Sequence, residues 1–336
     1  MITISHNGYI KRTSATEYRQ QRRGGRGLSG GKARLEDYIE HLFVASSHHT
    51  LLFFTEKGRC FWLNVYQIPD GDRIGKGRAV QNLIQIPQDD KIKAIIDVKD
   101  LKDNDFLNSH YIVLCTKRGV IKKTQLEDFS RPRQSGVNAI TILENDQLLT
   151  ARLTDGNCEI MMAIKSGRAI RFPEENVRPT GRGAIGVSGI EVDDSSDEVI
   201  GMICVNKDDK SKTVLVVSEN GYGKRTQVEE YRVTNRGGKG IKTIQVTDKT
   251  GQLVGILDVT EKEDLMITCK SGITIRMPVS GISELGRATQ GVKLIRLDEG
   301  DGIAAITQLD EESTIEEIKG GEGPVLDILP PESSPE

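Results

Sequence analysis

Aromatic side chains are scarce: seven Phe, seven Tyr and one Trp in 336 residues, too few for base stacking to dominate binding of a single strand. The five cysteines (Cys60, Cys115, Cys158, Cys204, Cys269) are odd in number, far apart and without a CxxC pair. They read most simply as reduced thiols in strands. No apolar run nears the roughly 18 residues that cross a bilayer, and no signal peptide opens the chain, so no membrane role and a cytoplasmic location are expected. Helical periodicity is nearly missing; only 33–42 and 311–318 read as short helices. The histidines (His6, His41, His48, His49, His110) make no HExxH, and the adjacent His48 and His49 would point to opposite sides of a strand, which suits a solvated surface better than a metal. Gly181, Gly183 and Gly186 fit GxGxxG, but Arg178-Pro179 precedes them and a strand-like 187–192 follows, so the strand and helix of a dinucleotide site are wanting. No paired-carboxylate or nucleophile arrangement stands out. No catalytic, cofactor-binding or metal-binding residues are therefore expected in this chain.

What the chain has is glycine, 35 of them, and repetition. A glycine turn followed by a short basic strand recurs at Gly8, Gly58, Gly119, Gly167, Gly221 and Gly272, at intervals of 50, 61, 48, 54 and 51 residues. Four residues on stand Arg12, Trp62, Lys123, Arg171, Arg225 and Arg276; ten residues on stand Tyr18, Ile68, Phe129, Val177, Tyr231 and Ile282, as packing positions would require. A second glycine, in a basic connector, follows at Gly27, Gly77, Gly136, Gly186, Gly240 and Gly291, 17 or 19 residues beyond the first. Each unit also holds apolar, β-branched runs of strand length, such as 51–54, 112–115, 160–163, 214–217 and 265–268. About four strands in about 50 residues is a propeller blade, and a lone blade cannot cover both faces of its sheet. The expected architecture is all-β: six four-stranded blades closed into a ring over 1–309, followed by an acidic, Pro/Ser/Gly-rich tail over 310–336 of disordered composition.

The net charge of −3 hides an asymmetry. Residues 298–336 hold 12 acidic residues and one basic one, Lys319, leaving 45 basic against 37 acidic residues in the body. A body of +8 suggests a polyanion partner, and the acidic tail is expected to compete with that partner or to rest against the basic body. A cation recurring at one place in the repeat recurs at one place on the ring, so Arg12, Lys123, Arg171, Arg225 and Arg276 are expected to form a belt. Connector cations would extend it: Arg22, Arg23 and Arg26; Lys76 and Arg78; Arg131 and Arg133; Arg178 and Arg182; Arg236, Lys239 and Lys242; Arg287 and Lys293. Glycines beside them would let a phosphate backbone come close, and the arginine fork suits phosphate oxygens. Such a belt reads phosphate, not sequence. With no recognition helix, the expected ligand is duplex DNA wrapped on the rim. A half-turn of about 30 base pairs around a body of roughly 20 Å radius of gyration costs on the order of 10 kcal/mol, which contacts from all six blades could offset at about 1.5–3 kcal/mol each.

The segment Gln21-Arg22-Arg23-Gly24-Gly25-Arg26-Gly27 resembles the basic glycine box of the C-terminal domain of bacterial DNA gyrase A subunits, with Arg26 where lysine is also common. The six degenerate repeats and the opening ITISHNGYIKRT resemble that family over 1–309. The resemblance implies a β-pinwheel whose blades exchange strands, positive-handed wrapping of DNA, and a box that takes part in wrapping and fastens the first blade to the last. It implies a non-catalytic, monomeric fragment of an ATP-dependent, negatively supercoiling, nucleoid-associated topoisomerase. Its partners would be the ATPase-bearing B subunit together with the N-terminal part of the A subunit; ATP and Mg would bind elsewhere in the holoenzyme. Trp62 departs from the pattern, so its blade is expected to contact DNA less, or through Arg59, Lys76 and Arg78. The related C-terminal domain of topoisomerase IV and a protein-interaction propeller are the alternatives; the intact box argues against the first.

Overall fold

The structure, a computed structural model, describes residues 1–13, 28–29, 39–43, 45–72, 75–193 and 196–309. Each unit begins with a hairpin: Ile2–Ser5 with Tyr9–Arg12, Thr50–Thr55 with Arg59–Asn64, Tyr111–Thr116 with Val120–Gln125, Glu159–Ile164 with Arg168–Pro173, Thr213–Ser218 with Tyr222–Gln227, and Asp264–Cys269 with Ile273–Pro278. The turn glycines have φ between 78° and 86°. Each donates its N–H to the carbonyl three residues back, as in Gly8 to Ser5 at 2.8 Å and Gly221 to Ser218 at 3.0 Å. Asn7 and Asn220 do not share the positive φ, so the turn is a type I turn closed by a left-handed glycine and not an Asn-Gly type I′ turn.

A third strand pairs with the first hairpin strand of each unit: Ile39–Phe43, Ile92–Val98, Leu148–Thr154, Val199–Val205, Leu253–Val259 and Ile303–Leu309. These six line the axis of the ring, where Phe43, Ile95, Ala151, Gly201, Gly255 and Ile306 border one central cavity. Packing there is close: a Cβ on Gly255 would lie 2.4 Å from Ile306 Cδ1.

The fourth strand of each blade comes from the connector of the next unit. Arg78–Ala79, Val137–Asn138, Val187–Ser188, Ile241–Lys242 and Val292–Lys293 pair with the second hairpin strands of blades one to five. Leu28–Ser29, directly after the glycine box, pairs with Ile273 and Thr274 of blade six and so joins the two ends of the chain. Six four-stranded sheets arranged this way form a β-pinwheel.

The connector glycines exist for this exchange. Gly77, Gly136, Gly186, Gly240 and Gly291, each just before the donated strand, all have positive φ. An added Cβ would fall 2.5–2.9 Å from a carbonyl oxygen of the preceding blade, that of Ile10, Cys60, Ile121, Ala169 or Gly223. The bare backbone expected to admit a phosphate instead admits the neighbouring blade at these five positions.

The core lies between sheets. Leu52 and Phe54 of blade two pack with Ile112, Leu114 and Phe129 of unit three, with Phe54 and Phe129 edge to face at 5.7 Å. The positions ten residues past the turn glycine, Ile68, Phe129, Val177, Tyr231 and Ile282, are all 1% exposed or less, each stabilising the inter-blade contact by about 1.5–3 kcal/mol; Tyr18 lies outside the described residues. Two expectations change. Part of the helix expected over 33–42 is the axial strand Ile39–Phe43, whose place beside Ile2–Ser5 outweighs local propensity. An unforeseen α-helix, Asn104–Ser109, starts where the Asp103 carboxylate accepts the Phe106 N–H at 3.1 Å, and accounts for the long 61-residue interval. The acidic tail and the helix expected at 311–318 lie outside the described residues.

Gly240→Ala should destabilise the ring by about 1–3 kcal/mol, through φ +68° and a 2.6 Å contact with the Ala169 carbonyl oxygen. Gly181→Ala, whose Cβ would meet nothing within 4 Å, should shift the urea midpoint little. Equal shifts in the two variants would contradict this account.

Candidate nucleic-acid interface

The expected belt, four residues past the turn glycine, is turned inward. Lys123, Arg225 and Arg276 are 4%, 5% and 7% exposed. Arg225 Nε donates to the Ile282 carbonyl at 2.9 Å and its two terminal nitrogens reach Glu261 at 3.2 Å. Arg171 donates to the carbonyls of Val228 and Tyr231 at 2.8 and 2.9 Å and pairs with Glu159. Lys123 Nζ stands 3.4 Å from the fully buried Glu174 carboxylate and 4.8 Å from the Tyr111 ring centroid. Arg12, partly exposed, pairs with Asp70 at 2.7 Å, and Arg276 with the buried Asp264 at 2.7 Å. The hydrogen bond to Asp70 holds the Arg12 guanidinium above its ordinary pKa and the carboxyl below its own.

The repeated position is thus mainly a clamp from one blade to the 3-10 turn of the next, and it is withdrawn from the surface track. Trp62 shows why a non-cation fits there: its indole Nε1 donates to the Phe129 carbonyl at 3.0 Å, the same service. A donor recurs because the turns after the hairpins of units three to six leave carbonyls facing the preceding blade.

One residue earlier, odd and even blades differ. Blades two, four and six carry Phe61, Ile170 and Ile275, whereas one, three and five carry Lys11, Lys122 and Lys224, all 5% exposed or less. Lys11 Nζ donates to the carbonyls of Asp72 and Gly75 at 2.9 and 2.7 Å. Lys122 Nζ donates to Ala139 O and Thr124 Oγ1, both at 2.7 Å, and to Arg182 O at 3.3 Å. Lys224 Nζ takes the carbonyls of Gly286 and Arg287. Burial lowers the pKa of Lys122 and of Lys224 to about 8, Asp128 and Glu230 respectively opposing the shift and Arg182 and Arg287 adding to it.

The outward-facing cations lie in connectors and donated strands. Lys76, Arg78, Arg131, Arg133, Arg178, Lys239, Lys242 and Lys293 are exposed; Arg182, Arg236 and Arg287 are half-buried. Among the described residues, Arg78, Arg131, Arg133, Arg178, Lys242 and Lys293 meet no carboxylate within salt-bridge distance, whereas Lys239 reaches Asp193 at 3.2 Å. Lys76 lies 3.8 Å over the Tyr9 ring, and Lys293 and Lys249 flank the ring of Tyr222 at 5.7 and 5.5 Å. Arg236 spends its guanidinium on the Asn176 and Ser188 carbonyls, both at 3.0 Å, and Arg287 on that of Lys242, stapling consecutive rim strands.

Arg168 belongs with these cations, although the repeat pattern does not mark it. It stands directly opposite Lys242 in the rim pairing of blade four, a like-charge pair, and its guanidinium donates to the carbonyls of Lys239 and Gly240 at 3.1 and 2.9 Å. No motif points to it, because only the donated strand brings Lys242 there. Arg22, Arg23 and Arg26, with the rest of the box (Gln21, Gly24, Gly25, Gly27), lie outside the described residues. Among the described residues no cluster of three or more His, Cys, Asp or Glu could hold a metal. His49 is half-buried against Asp97 at 2.7 Å, not solvated as its sequence context suggested. The GxGxxG stretch is connector, continued by the rim strand Val187–Ser188.

The family described as the DNA gyrase C-terminal domain, a β-propeller, matches this chain in six consecutive segments, 1–46, 49–109, 110–155, 159–206, 212–260 and 263–310. The chain belongs to that family. It is 44% identical to the DNA gyrase A subunit of Staphylococcus aureus strain MRSA252 over 326 residues, and likewise to that of strain NCTC 8325 over 313 residues; it spans about a third of their length, 36% and 35%. A solved gyrase A C-terminal domain superposes with a TM-score of 0.79 at 26% identity, covering 92% of this chain and 98% of that one. A topoisomerase IV C-terminal domain, at 23% identity and TM-score 0.73 over 95% of each chain, shares the fold. By family and by fold alike, the match is to the C-terminal domain of gyrase A, and this chain shares its six-bladed architecture. No helix among its described residues is long and apolar enough to cross a membrane.

Arg276→Met should cost about 3–5 kcal/mol by leaving Asp264 buried without its arginine, and Arg225→Met about 1–3 kcal/mol for the deprived Ile282 carbonyl. Arg131→Ala should leave the urea midpoint within error. A pH series tests the lysines. A folded pKa near 8 for Lys224 against about 10.4 unfolded means the unfolded chain binds more protons between those values, so its contribution to stability grows as pH rises through that window and is lost as pH falls through 8. From pH 7.5 to pH 9.5 the wild type should therefore gain stability relative to Lys224→Met; an unchanged gap would contradict the shift.

Proposed function

We propose that this gyrase domain binds duplex DNA along its rim and wraps it without sequence preference. The observation that carries the reading is the placement of cations on the donated strands and their connectors: Arg78, Lys242 and Lys293 sit on rim strands, Arg131, Arg133 and Arg178 on connectors, and among the described residues none has a carboxylate against it. Arg168 faces Lys242 across the sheet. Cations in this arrangement repel each other, and a polyphosphate following the rim relieves the repulsion while releasing its own counterions.

Contacts of this kind come from side chains on strands and connectors, with no helix among the described residues positioned for a groove, so they hold the backbone and leave the bases unread. Large aromatic surface is not offered for stacking; among the described aromatics Tyr66 is the one that is largely exposed. In the whole enzyme the wrap would present a DNA segment for strand passage. ATP hydrolysis would be carried by the B subunit, where ATP and Mg bind, while the chemistry on DNA belongs to the N-terminal part of the A subunit. The isolated domain acts as a monomeric DNA-binding fragment.

The affinity for plain duplex should fall about 10³–10⁵-fold between 50 and 200 mM salt if six to ten phosphates are held. Ligation of nicked circles around the domain should trap a change in linking number. Binding that is weak and indifferent to salt would favour a protein-interaction ring instead; salt-sensitive binding without a linking change would retain the binding and remove the wrapping.

A further inference from the structure

Three of the six connectors rest on a buried ammonium. The connector at 71–77 is held by Lys11 through the carbonyls of Asp72 and Gly75. That at 180–186 is held by Lys122 through the carbonyl of Arg182, and that at 285–291 by Lys224 through those of Gly286 and Arg287. In blades two and four an apolar side chain fills the same room: a Cβ on Gly136 would strike Phe61 at 2.6 Å, and one on Gly238 would touch Ile170 at 3.6 Å. An apolar residue is therefore sufficient for packing at this position, and the lysine has another consequence.

In a trans peptide the carbonyl and the N–H that follows it point in opposite directions. A carbonyl drawn inward to the ammonium sends the next N–H outward. The N–H groups so turned are those of Lys76, Gly183, Arg287 and Ala288; that of Arg287 donates to the Glu230 carboxylate at 2.8 Å, and the other three have no partner among the described residues. Each lies in a connector that carries a cation: Lys76 with Arg78 after it, Arg182, and Arg287, whose guanidinium also staples the Lys242 carbonyl while Lys293 follows on the donated strand. Gly181 and Gly183 have neither positive φ nor any atom within 4 Å of a built Cβ, so nothing inside the protein requires a glycine at either place and the backbone there is bare to an outside group. Outward N–H groups next to a guanidinium or ammonium are a phosphate-binding pattern.

We propose that Lys11, Lys122 and Lys224 are positioning residues for the DNA phosphate track, each fixing one connector so that its backbone N–H and its arginine or lysine face the duplex together. Strong phosphate contacts then recur on alternate blades, one, three and five. The proposal rests on the duplex-binding reading above. The lysines themselves, buried beneath the connectors, touch no phosphate.

The test uses the full chain with Lys122→Met and Lys224→Met, singly and together, and a charge-matched control, Lys99→Met with Lys102→Met, two exposed lysines remote from the connectors. Duplex affinity is measured from 50 to 200 mM salt at a temperature where melting curves show every variant folded, and amide exchange is followed in parallel. The double variant is expected to lose about tenfold in affinity at 50 mM salt, and the slope of log K against log salt should shrink by about 1–2, the phosphates no longer held. Amides of 181–186 and 285–290 should exchange faster, while those of 131–136, over Phe61, stay unchanged.

The control should keep the wild-type slope. A weaker affinity with the wild-type slope would reduce the lysines to contributors of charge and overturn the proposal, as would unaltered exchange in the two connectors. If methionine prevents folding, Lys122→Gln and Lys224→Gln keep a donor under the connector, so slope and connector exchange should both stay near wild type; a smaller slope with unaltered exchange would overturn the proposal. A wild-type chain that fails to bind duplex sinks the duplex reading itself; a wild type that binds, with variants binding equally well, sinks this proposal alone.

Discussion

Each unit of the chain builds a hairpin and an axial strand and leaves one side of its sheet open. The missing strand is two residues long and arrives from the connector of the following unit, so every blade is finished by its neighbour. Unpaired backbone at that edge would be both costly and sticky. Exchange answers the requirement six times, and the last exchange, Leu28–Ser29 onto blade six, turns a row of units into a ring. The connector glycines, the buried clamps and the place of the outward charges all follow from it.

Because the donated strand must pass within contact distance of the preceding hairpin, the residue just before it has no room for a Cβ and must adopt positive φ. Because the connector is pulled over the blade, carbonyl groups of its turns face inward and need donors. Arg171, Arg225 and the Trp62 indole supply them from the preceding hairpin, and Lys11, Lys122 and Lys224 supply them one residue earlier on alternate blades. Basic residues in this fold therefore do two jobs. The inner set neutralises stray backbone oxygens and fixes the angle between blades; the outer set is left on the rim for an external anion.

That division changes how the charge of the body should be read. Not every cation ahead of the acidic tail is available to a partner. Some are held in buried pairs such as Lys123 with Glu174 and Arg276 with Asp264, and some in staples such as Arg236 to the Ser188 carbonyl. The rim keeps Arg78, Lys242 and Lys293 on its donated strands and Arg131, Arg133 and Arg178 on the connectors that feed them. Arg168 opposite Lys242 brings two cations to one place on the rim, with the Arg168 guanidinium stapled to the Lys239 and Gly240 carbonyls.

The number of units, their turn glycines, their packing positions and the all-β class are local properties, and each recurs in phase, so the sequence alone determines them. Direction is not local. Four residues past a glycine, a cation reads the same whether it faces solvent or the interior; Arg225 proved to face inward because the neighbour's turn lies there, and Arg276 because the buried Asp264 holds it. Ile39–Phe43 has helix-like surroundings in sequence and becomes a strand because Ile2–Ser5 offers it an edge. Which cations face out, and that Lys242 meets Arg168, were decided only when a connector from one unit crossed to the blade before it: the connector glycines recur in phase, but nothing in either segment records which residue of the other it will face.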